Sequence, residues 1–176
     1  MTEVMLDLET LSVRSDAAII VIGAIKFNRN DAVKKMENMD TFYRRIDIES
    51  CEKAGLRIDT ETKNWWYEQE HDVRYEALEN PDRVLLKNAL LDFSAWISPS
   101  NKIWGNGDDF DCSILAEAYA KCNLPIPWKF WMTRDCRTLF DIAHIKNKDL
   151  PNNSKHHALY DCYRQIIGVQ KAFCKL

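Results

Sequence analysis

Runs of apolar residues divide the chain into an early region rich in strands and a later region in which strands alternate with helices. Residues 4–10 predict a first strand, on which successive side chains point to opposite faces. The run 17–27 is rich in β-branched residues and nearly uncharged, which is typical of a strand covered on both faces. A third strand is predicted at 41–46, so the first quarter of the chain predicts a three-stranded meander.

Helical spacing of apolar residues begins after residue 50. Asp59 or Thr60 can cap a helix that carries Trp65 and Trp66, and apolar residues recur at near-helical spacing over 84–97. The tryptophans could stack on a nucleobase, but at adjacent helix positions at most one faces any given site, and we predict core packing. The later elements are a short strand at 102–104, a helix opened by 108–111, a short strand at 132–136, a short helix at 137–144, a polar loop at 146–154 and a C-terminal helix from about residue 156.

This order of elements predicts a mixed α/β fold with a five-stranded central sheet flanked by helices, rather than an all-parallel sheet. A length of 176 residues suits a single domain, residues 1–176, that is long enough to bury one core. Hydrophobic residues make up 46% of the chain and charged residues 29%, which is an ordinary globular balance.

Charge and cysteine content narrow the classes of partner. A net charge of −3 argues against a protein that wraps duplex DNA through many phosphates, whereas an enzyme that holds the last few nucleotides of a strand needs few such contacts. The six cysteines are widely spaced without a Cys-x-x-Cys pair, so we expect reduced, packed thiols. The sequence contains no signal-like start and no run of 18 apolar residues, which predicts a cytoplasmic protein without a membrane partner.

Acidic residues at three places in the sequence are the candidates for a catalytic, metal-binding site. Asp7 and Glu9 share one face of the first strand, where their mutual repulsion would be relieved by a hard divalent cation such as Mg²⁺ or Mn²⁺. Asp111 begins a helix after a Gly-Asn-Gly turn, and Asp161 follows two histidines near the start of the last helix. Each group alone has a simpler explanation, because strand ends, helix caps and solvated helix positions commonly carry acids.

Taken together and in this order, these motifs resemble the DEDDh exonucleases of the ribonuclease H-like superfamily. The resemblance rests on Asp7-Leu8-Glu9-Thr10, on Asn106-Gly107-Asp108-Asp109-Phe110-Asp111 and on His156-His157-Ala158-Leu159-Tyr160-Asp161. The stretches Trp104-Gly105-Asn106-Gly107, Trp65-Trp66 and 134–139 are similar to a small bacterial and phage subgroup described as 3′-5′ exoribonucleases, with exonuclease VIII-like prophage relatives. The resemblance covers nearly the whole chain. Where many members carry an acid before the last Asp, this chain has Tyr160, which removes a charge but no expected ligand.

The resemblance implies an enzyme that hydrolyses phosphodiester bonds from the 3′ end of single-stranded RNA or DNA and releases nucleoside 5′-monophosphates. It implies two bound Mg²⁺ or Mn²⁺ ions, one activating water and one stabilising the leaving 3′-oxygen. The ligands would be Asp7, Glu9, Asp111 and Asp161. Thr10 and Leu11 are expected to contact the terminal nucleotide, and a homodimer is compatible with the resemblance because many relatives are dimers.

Two adjacent histidines, His156 and His157, are the candidates for the general base. Residues four apart share a helix face, whereas residues five apart are separated by about 140°, so helical geometry alone favours His157 beside Asp161. The family pattern favours His156, placed in the loop before the helix. We assign His156 and keep His157 as the alternative.

Two other functions are compatible with the same residues. The first is a catalytically silent domain of this fold that binds nucleic acid or mediates phage-host interaction, although intact candidates at all five catalytic positions argue against it. The second is a nucleotide phosphohydrolase that uses the same metals. The choice between RNA and DNA stays open, because a 2′-hydroxyl is read by one or two hydrogen bonds that no stretch of the sequence identifies.

Overall fold

The computed structural model describes residues 2–97, 102–107, 109–151 and 156–176. Its strands are β1 (Glu3–Thr10), β2 (Ile19–Phe27), β3 (Thr41–Arg45), β4 (Lys102–Gly105) and β5 (Thr133–Asp135). Its α-helices are α1 (Ile48–Lys53), α2 (Thr60–Tyr67), α3 (His71–Arg74), α4 (Leu86–Trp96), α5 (Asp111–Lys121), α6 (Cys136–Ile142) and α7 (Ala158–Lys175). Short 3₁₀ turns occur at Met36–Asn38, Phe130–Met132 and Asn147–Asp149, and a π-helical turn at Tyr75–Glu79.

The five strands form one mixed sheet in the order β3-β2-β1-β4-β5. Strand β1 lies at the centre, antiparallel to β2 and parallel to β4, and β5 continues the sheet parallel to β4. The mixed five-stranded sheet predicted from the sequence is therefore confirmed. The first three strands form the predicted meander, because β2 is antiparallel to β1 and to β3.

Helices cover both faces of the sheet, and β1 shows how its alternation assigns side chains to them. Val4, Leu6 and Leu8 pack into the core beneath α4 and α5, whereas Met5 packs into the second core beneath α6 and α7. Because residues two apart share a face, Asp7 and Glu9 continue the face of Met5. The apolar strand therefore ends in two acids on the side covered by α7.

Helix α7 approaches the sheet closely at Gly23, the β2 residue that is the register partner of Asp7. A Cβ atom at Gly23 would lie 2.5 Å from the Cβ of Ala158, so a side chain there would collide with the first residue of the helix. The Cys162 thiol is directed at the same place and lies 3.5 Å from the carbonyl oxygen of Gly23. Small residues on the strand and the helix thus allow the start of α7 to pack against the centre of the sheet.

Several boundaries differ from those expected. Helix α4 begins at Leu86, because Val84 is extended and forms a β-bridge with Ile46. Helix α5 begins at Asp111, after a turn at 109–110, and Asp108 lies outside the described residues. The polar loop expected at 146–154 contains the turn Asn147–Asp149, and its residues 152–154 also lie outside them. Helices α1 and α3 were not predicted, since each is only one or two turns long.

Two further expectations concern thiols and membranes. The six cysteines form no disulfide and four of them are buried, which matches the expectation of packed thiols. Within the described ranges, none of the helices combines the length and the apolar character needed to span a bilayer.

Candidate active site

A pocket of about 850 Å³ opens where β1 ends beside the N-terminal ends of α5 and α7, with α6 along one wall. All five side chains predicted to be catalytic line this pocket, namely Asp7, Glu9, Asp111, His156 and Asp161. The sheet topology explains the convergence, because β1 and β4 are parallel, so the turn that leaves β4 delivers α5 to the edge where β1 ends.

Three of the carboxylates form a tight group. One oxygen from each of Asp7, Glu9 and Asp161 lies within 4.8 Å of the others. Asp111 stands slightly apart from them, and its Oδ1 accepts a hydrogen bond of 3.0 Å from the backbone N–H of Leu8. Glu9 and Asp111 are buried, whereas Asp7 and Asp161 are partly exposed to the pocket.

Burial raises the pKa of every carboxyl group in this cluster, and repulsion between the acids adds to the rise for Asp7 and Glu9. Burial is the largest cause for Glu9, whose pKa rises to about 8, and the charges of Asp161 and Asp111 add to it. The pKa of Asp7 is raised well above its ordinary value by burial and then by its three acidic neighbours. Burial also raises the pKa of Asp161 and raises that of Asp111 to about 7, although backbone N–H groups and Arg137 oppose the shift at Asp111.

Polar partners for the cluster are few in the described part of the chain. Oδ1 of Asp7 accepts a hydrogen bond of 3.0 Å from Nε2 of Gln165. Oε1 of Glu9 is buried and has no hydrogen-bond partner among the described residues. Gln165 was not identified from the sequence, although its position four residues after Asp161 places both on one face of α7. A buried carboxylate oxygen without a partner is costly unless a cation binds it.

His156 lies two residues before α7, in the left-handed backbone region with φ of 57°. Its ring lines the pocket and meets Trp65 edge to face, with ring centroids 5.0 Å apart. The side chain therefore shares the pocket with the three carboxylates. Because α7 begins at Ala158, neither histidine belongs to the helix, and helical spacing does not place the ring of His157 beside Asp161.

His157 faces away from the catalytic pocket. Its ring stacks on Tyr43 at 5.3 Å between centroids and meets Tyr160 edge to face at 4.7 Å. Its Nε2 lies 3.9 Å from Oε1 of Glu76. Burial is the largest influence on this ring and lowers the pKa of His157. These contacts connect the start of α7 to β3 and to the π-helical turn.

The two residues expected to contact a nucleotide have different positions. Thr10 is largely buried, and its hydroxyl donates a 2.7 Å hydrogen bond to the carbonyl oxygen of Ser12. Leu11 is completely buried in the main core, which argues against a contact between its side chain and a nucleotide. Its backbone is also hydrogen-bonded, since its N–H donates to the carbonyl oxygen of Ala18 and its carbonyl oxygen accepts from the N–H of Asp59. The chain turns inward at the end of β1, and this carries Leu11 away from the pocket.

A second pocket, of about 450 Å³, adjoins the carboxylates on the side of Thr10 and α2. We call it the side pocket, and its lining includes Glu9, Thr10, Val13, Trp65 and Phe110. Trp65 is 39% exposed, whereas Trp66 is buried and donates a hydrogen bond of 2.9 Å from its Nε1 to the carbonyl oxygen of Thr10. Core packing, predicted for both tryptophans, is confirmed for Trp66 and wrong for Trp65.

A family model described as the 3′-5′ exoribonuclease Rv2179c-like domain matches residues 2–173. The chain belongs to this family. It is therefore a 3′-5′ exonuclease, as the motif resemblance implies. This result also confirms the assignment to the DEDDh exonucleases of ribonuclease H-like fold.

Known relatives and solved structures agree with the family. The exonuclease is 24% identical over 204 residues to a protein named exodeoxyribonuclease from Enterobacteria phage T4, covering 98% of this chain and 89% of the relative. It matches cell-death related nuclease 4 with a TM-score of 0.66 at 12% identity, covering 98% of this chain and 64% of that one. It matches E. coli exonuclease I in complex with a dA16 oligonucleotide with a TM-score of 0.65 at 13% identity, covering 99% and 41%. The structural matches show a shared fold, and the chain spans less than two thirds of these two proteins.

Proposed function

We propose that the exonuclease removes nucleoside 5′-monophosphates one at a time from the 3′ end of single-stranded nucleic acid, using two bound Mg²⁺ or Mn²⁺ ions. The observation that carries this proposal is the group of three carboxylates within 4.8 Å of one another at the floor of an open pocket. The family description names an exoribonuclease and the phage relative is an exodeoxyribonuclease. The chain belongs to the family, whereas the phage relative is only 24% identical, so we propose RNA as the preferred substrate.

The donor set fits hard divalent cations. Asp7, Glu9 and Asp161 offer three converging carboxylates, and Oε1 of Glu9 has no partner among the described residues. Oxygen ligands of this kind suit Mg²⁺ and Mn²⁺ better than zinc or copper. Asp111, which lines the same pocket, would complete the set of four ligands. When bound, such ions lower the pKa of water and neutralise charge that develops on the leaving 3′-oxygen. A zinc ion is bound in one form of E. coli exonuclease I in complex with single-stranded DNA.

His156 is proposed as the general base that takes the proton from the attacking water. Its ring lines the pocket close to the carboxylates, and contact with the edge of Trp65 restricts where it can turn. A positioned imidazole in this role typically contributes about 10² to 10⁴ in rate. Gln165 is proposed as a positioning residue, because its hydrogen bond to Asp7 fixes the orientation of that carboxylate.

The side pocket is proposed to hold the terminal nucleoside. It lies directly beside Glu9, and the exposed ring of Trp65 and the side chain of Phe110 offer apolar surfaces to a base. Base stacking on an aromatic side chain is tolerant of sequence and contributes about 1–3 kcal/mol. Thr10 lies at the boundary between this pocket and the carboxylates and is proposed to contact the sugar of the same nucleotide.

The test uses a 5′-labelled single strand of RNA, the same sequence in DNA, and product analysis by gel and chromatography. We expect a ladder that shortens from the 3′ end, mononucleotide products, dependence on Mg²⁺ or Mn²⁺, and loss of activity in EDTA. Asp7→Asn should abolish activity, whereas Asp72→Asn, at a fully exposed aspartate of α3, should not. Activity that survives Asp7→Asn or EDTA would overturn the proposal, and equal rates on RNA and DNA would overturn the preference for RNA.

A further inference from the structure

Two large aromatic side chains are exposed next to each other at the start of β5. Phe130 is 83% exposed and Trp131 is 59% exposed, and both belong to the short turn Phe130–Met132. Their rings are nearly perpendicular, with centroids 5.0 Å apart, so each ring leaves a face open to solvent. Exposing two neighbouring aromatic rings to water is unfavourable, and exposed apolar patches of this kind mark binding sites. We call this pair the aromatic platform.

Cationic side chains surround the aromatic platform. Lys129 precedes it and is exposed, and the guanidinium of Arg134 donates a hydrogen bond of 2.9 Å to the carbonyl oxygen of Trp131. Asp135 is the acid of this stretch, and its carboxylate already accepts hydrogen bonds from the N–H groups of Gly107 and Thr138. Residues 129–137 therefore carry three cationic side chains and one acid, in a chain whose net charge is −3.

Arg137 connects this segment to the catalytic pocket. It is exposed at the start of α6, and its side chain lines the pocket. It is close enough to Asp111 that its charge opposes the rise in the pKa of that carboxyl group. In the described ranges its guanidinium has no hydrogen bond or ion pair to another side chain. Gly107 makes room for this group, since a Cβ there would lie 3.0 Å from a guanidinium nitrogen of Arg137. The cation is thus held at the pocket wall with its donors available to a phosphate.

A groove beside α5 lies between the aromatic platform and the pocket. It has a volume of about 390 Å³, is lined by Phe130, Thr133 and Asp109, and ends one residue before Phe110, which lines both the catalytic pocket and the side pocket. Five residues, 132–136, separate the platform from Arg137, and the three of them that form β5 span roughly 10 Å at the usual rise of a strand. At about 3.4 Å per stacked nucleotide, the platform lies a few nucleotides from the carboxylates.

We propose that the nucleic-acid strand on the 5′ side of the cleaved bond runs along β5. Arg137 would contact a phosphate at the pocket wall, and Trp131 and Phe130 would stack on bases a few nucleotides upstream. Aromatic faces combined with cations suit a single strand, which offers bases and phosphates together. The core of a typical protein interface is instead depleted of charged residues. This inference rests on the proposed function, because it assumes that the 3′ end lies at the carboxylates.

The test compares a long substrate with one that cannot reach the platform. The long substrate is a single strand of about 12 nucleotides, and the short one is the p-nitrophenyl ester of uridine or thymidine 5′-monophosphate. For the double variant Phe130→Ala, Trp131→Ala, we expect the ratio of kcat/KM on the long substrate to that on the ester to fall by about 10-fold or more, through KM. Tyr75→Ala, which removes an exposed aromatic from the π-helical turn, should leave this ratio unchanged.

A second variant tests the phosphate contact. Arg137→Gln should lower the slope of log KM against log salt on the long substrate by about one contact, and Arg137→Lys should restore most of it. A wild-type enzyme inactive on both substrates would refute the proposed function. An active enzyme whose substrate ratio does not change in the double variant would refute the platform alone. A double variant that converts a dimer to a monomer in light scattering, with an unchanged ratio, would assign the aromatic pair to a protein interface and overturn the inference.

Discussion

Two clusters of acidic and basic groups lie on opposite sides of the start of α7, and they are balanced in different ways. In the scaffold cluster, Glu76 accepts a 2.7 Å hydrogen bond from the hydroxyl of Tyr43 and forms an ion pair with Arg45. The Nε of Arg45 also donates to the backbone carbonyl of Glu76, at 2.9 Å. In the catalytic cluster, three carboxylates lie together, and Gln165 is the side chain seen to donate to them in the described ranges.

The difference separates a structural group from a reactive one. A carboxylate with a guanidinium and a hydroxyl as partners has its charge and its acceptors satisfied, so it can hold elements together. Carboxylates that face each other without a cation raise one another's pKa, and a cation that binds between them stabilises their ionised forms. The adjacent histidines follow the same division, since His157 contacts the scaffold cluster and His156 lines the catalytic pocket.

The largest expected effect comes from neutralising one acid in each cluster. Asp7→Asn should reduce kcat/KM by about 10³-fold or more, because a metal ligand supplies several kcal/mol of transition-state stabilisation. In EDTA the same change should raise the free energy of unfolding, since it removes a repulsive charge. Glu76→Gln should lower it by about 1–3 kcal/mol, since it leaves Arg45 without its ion-pair partner. Urea unfolding of both variants in EDTA measures the contrast, and a destabilised Asp7→Asn would contradict it.

Substitutions of the two adjacent histidines should have different effects on kcat. His156→Ala should reduce kcat by about 10² to 10⁴-fold, because it removes the proposed general base. His157→Phe should reduce kcat by less than about 10-fold, because a phenyl ring preserves the stacking on Tyr43. Single-turnover rates of both variants at saturating Mn²⁺ check the assignment. A larger loss of rate in the His157 variant than in the His156 variant would transfer the role of general base to His157.

The catalytic cluster should also make stability depend on pH in the absence of metal. Glu9 has a pKa of about 8 in the folded protein against an ordinary value of 4.5. Between these values the folded state keeps a proton that the unfolded chain has lost. The free energy of unfolding should therefore fall by a few kcal/mol as pH rises from about 4.5 to about 8 in EDTA. Saturating Mn²⁺ should flatten the decline, because the metal binds the ionised form, and a decline of equal size in Mn²⁺ would count against a metal site.

The smallest expected effect on catalysis belongs to Leu11. Because its side chain is fully buried, Leu11→Ala should lower the free energy of unfolding by about 2–5 kcal/mol while KM changes by less than about threefold. Val13→Ala, two residues further on and 73% exposed, is the matched control and should leave stability nearly unchanged. A large increase in KM for Leu11→Ala without loss of stability would restore the original expectation of a nucleotide contact.

Much of the fold was predictable because β1 and β2 are marked by apolar runs and α7 by helical periodicity, and all three lie at the centre of the structure. The acids proposed to be catalytic were predictable for a related reason, since Asp7 and Glu9 end an apolar strand and the other two lie near the start of a helix. Contacts between distant segments were not predictable. The hydrogen bond from Gln165 to Asp7 joins residues 158 positions apart, and no spacing rule encodes it. The inward turn that buries Leu11 and the exposure of Trp65 rather than Trp66 likewise depend on how α2 packs against the end of β1.

The missing side chain at Gly23 has a mechanical consequence for the chemistry. Asp161 is carried by α7 and Asp7 by the sheet, so the gap between them is set by how closely the helix can settle at Ala158. A methyl group at Gly23 would push α7 away from the sheet and widen that gap, although it would contact neither substrate nor metal. The geometry of the proposed ion site thus depends on a residue that has no functional group and does not line the pocket.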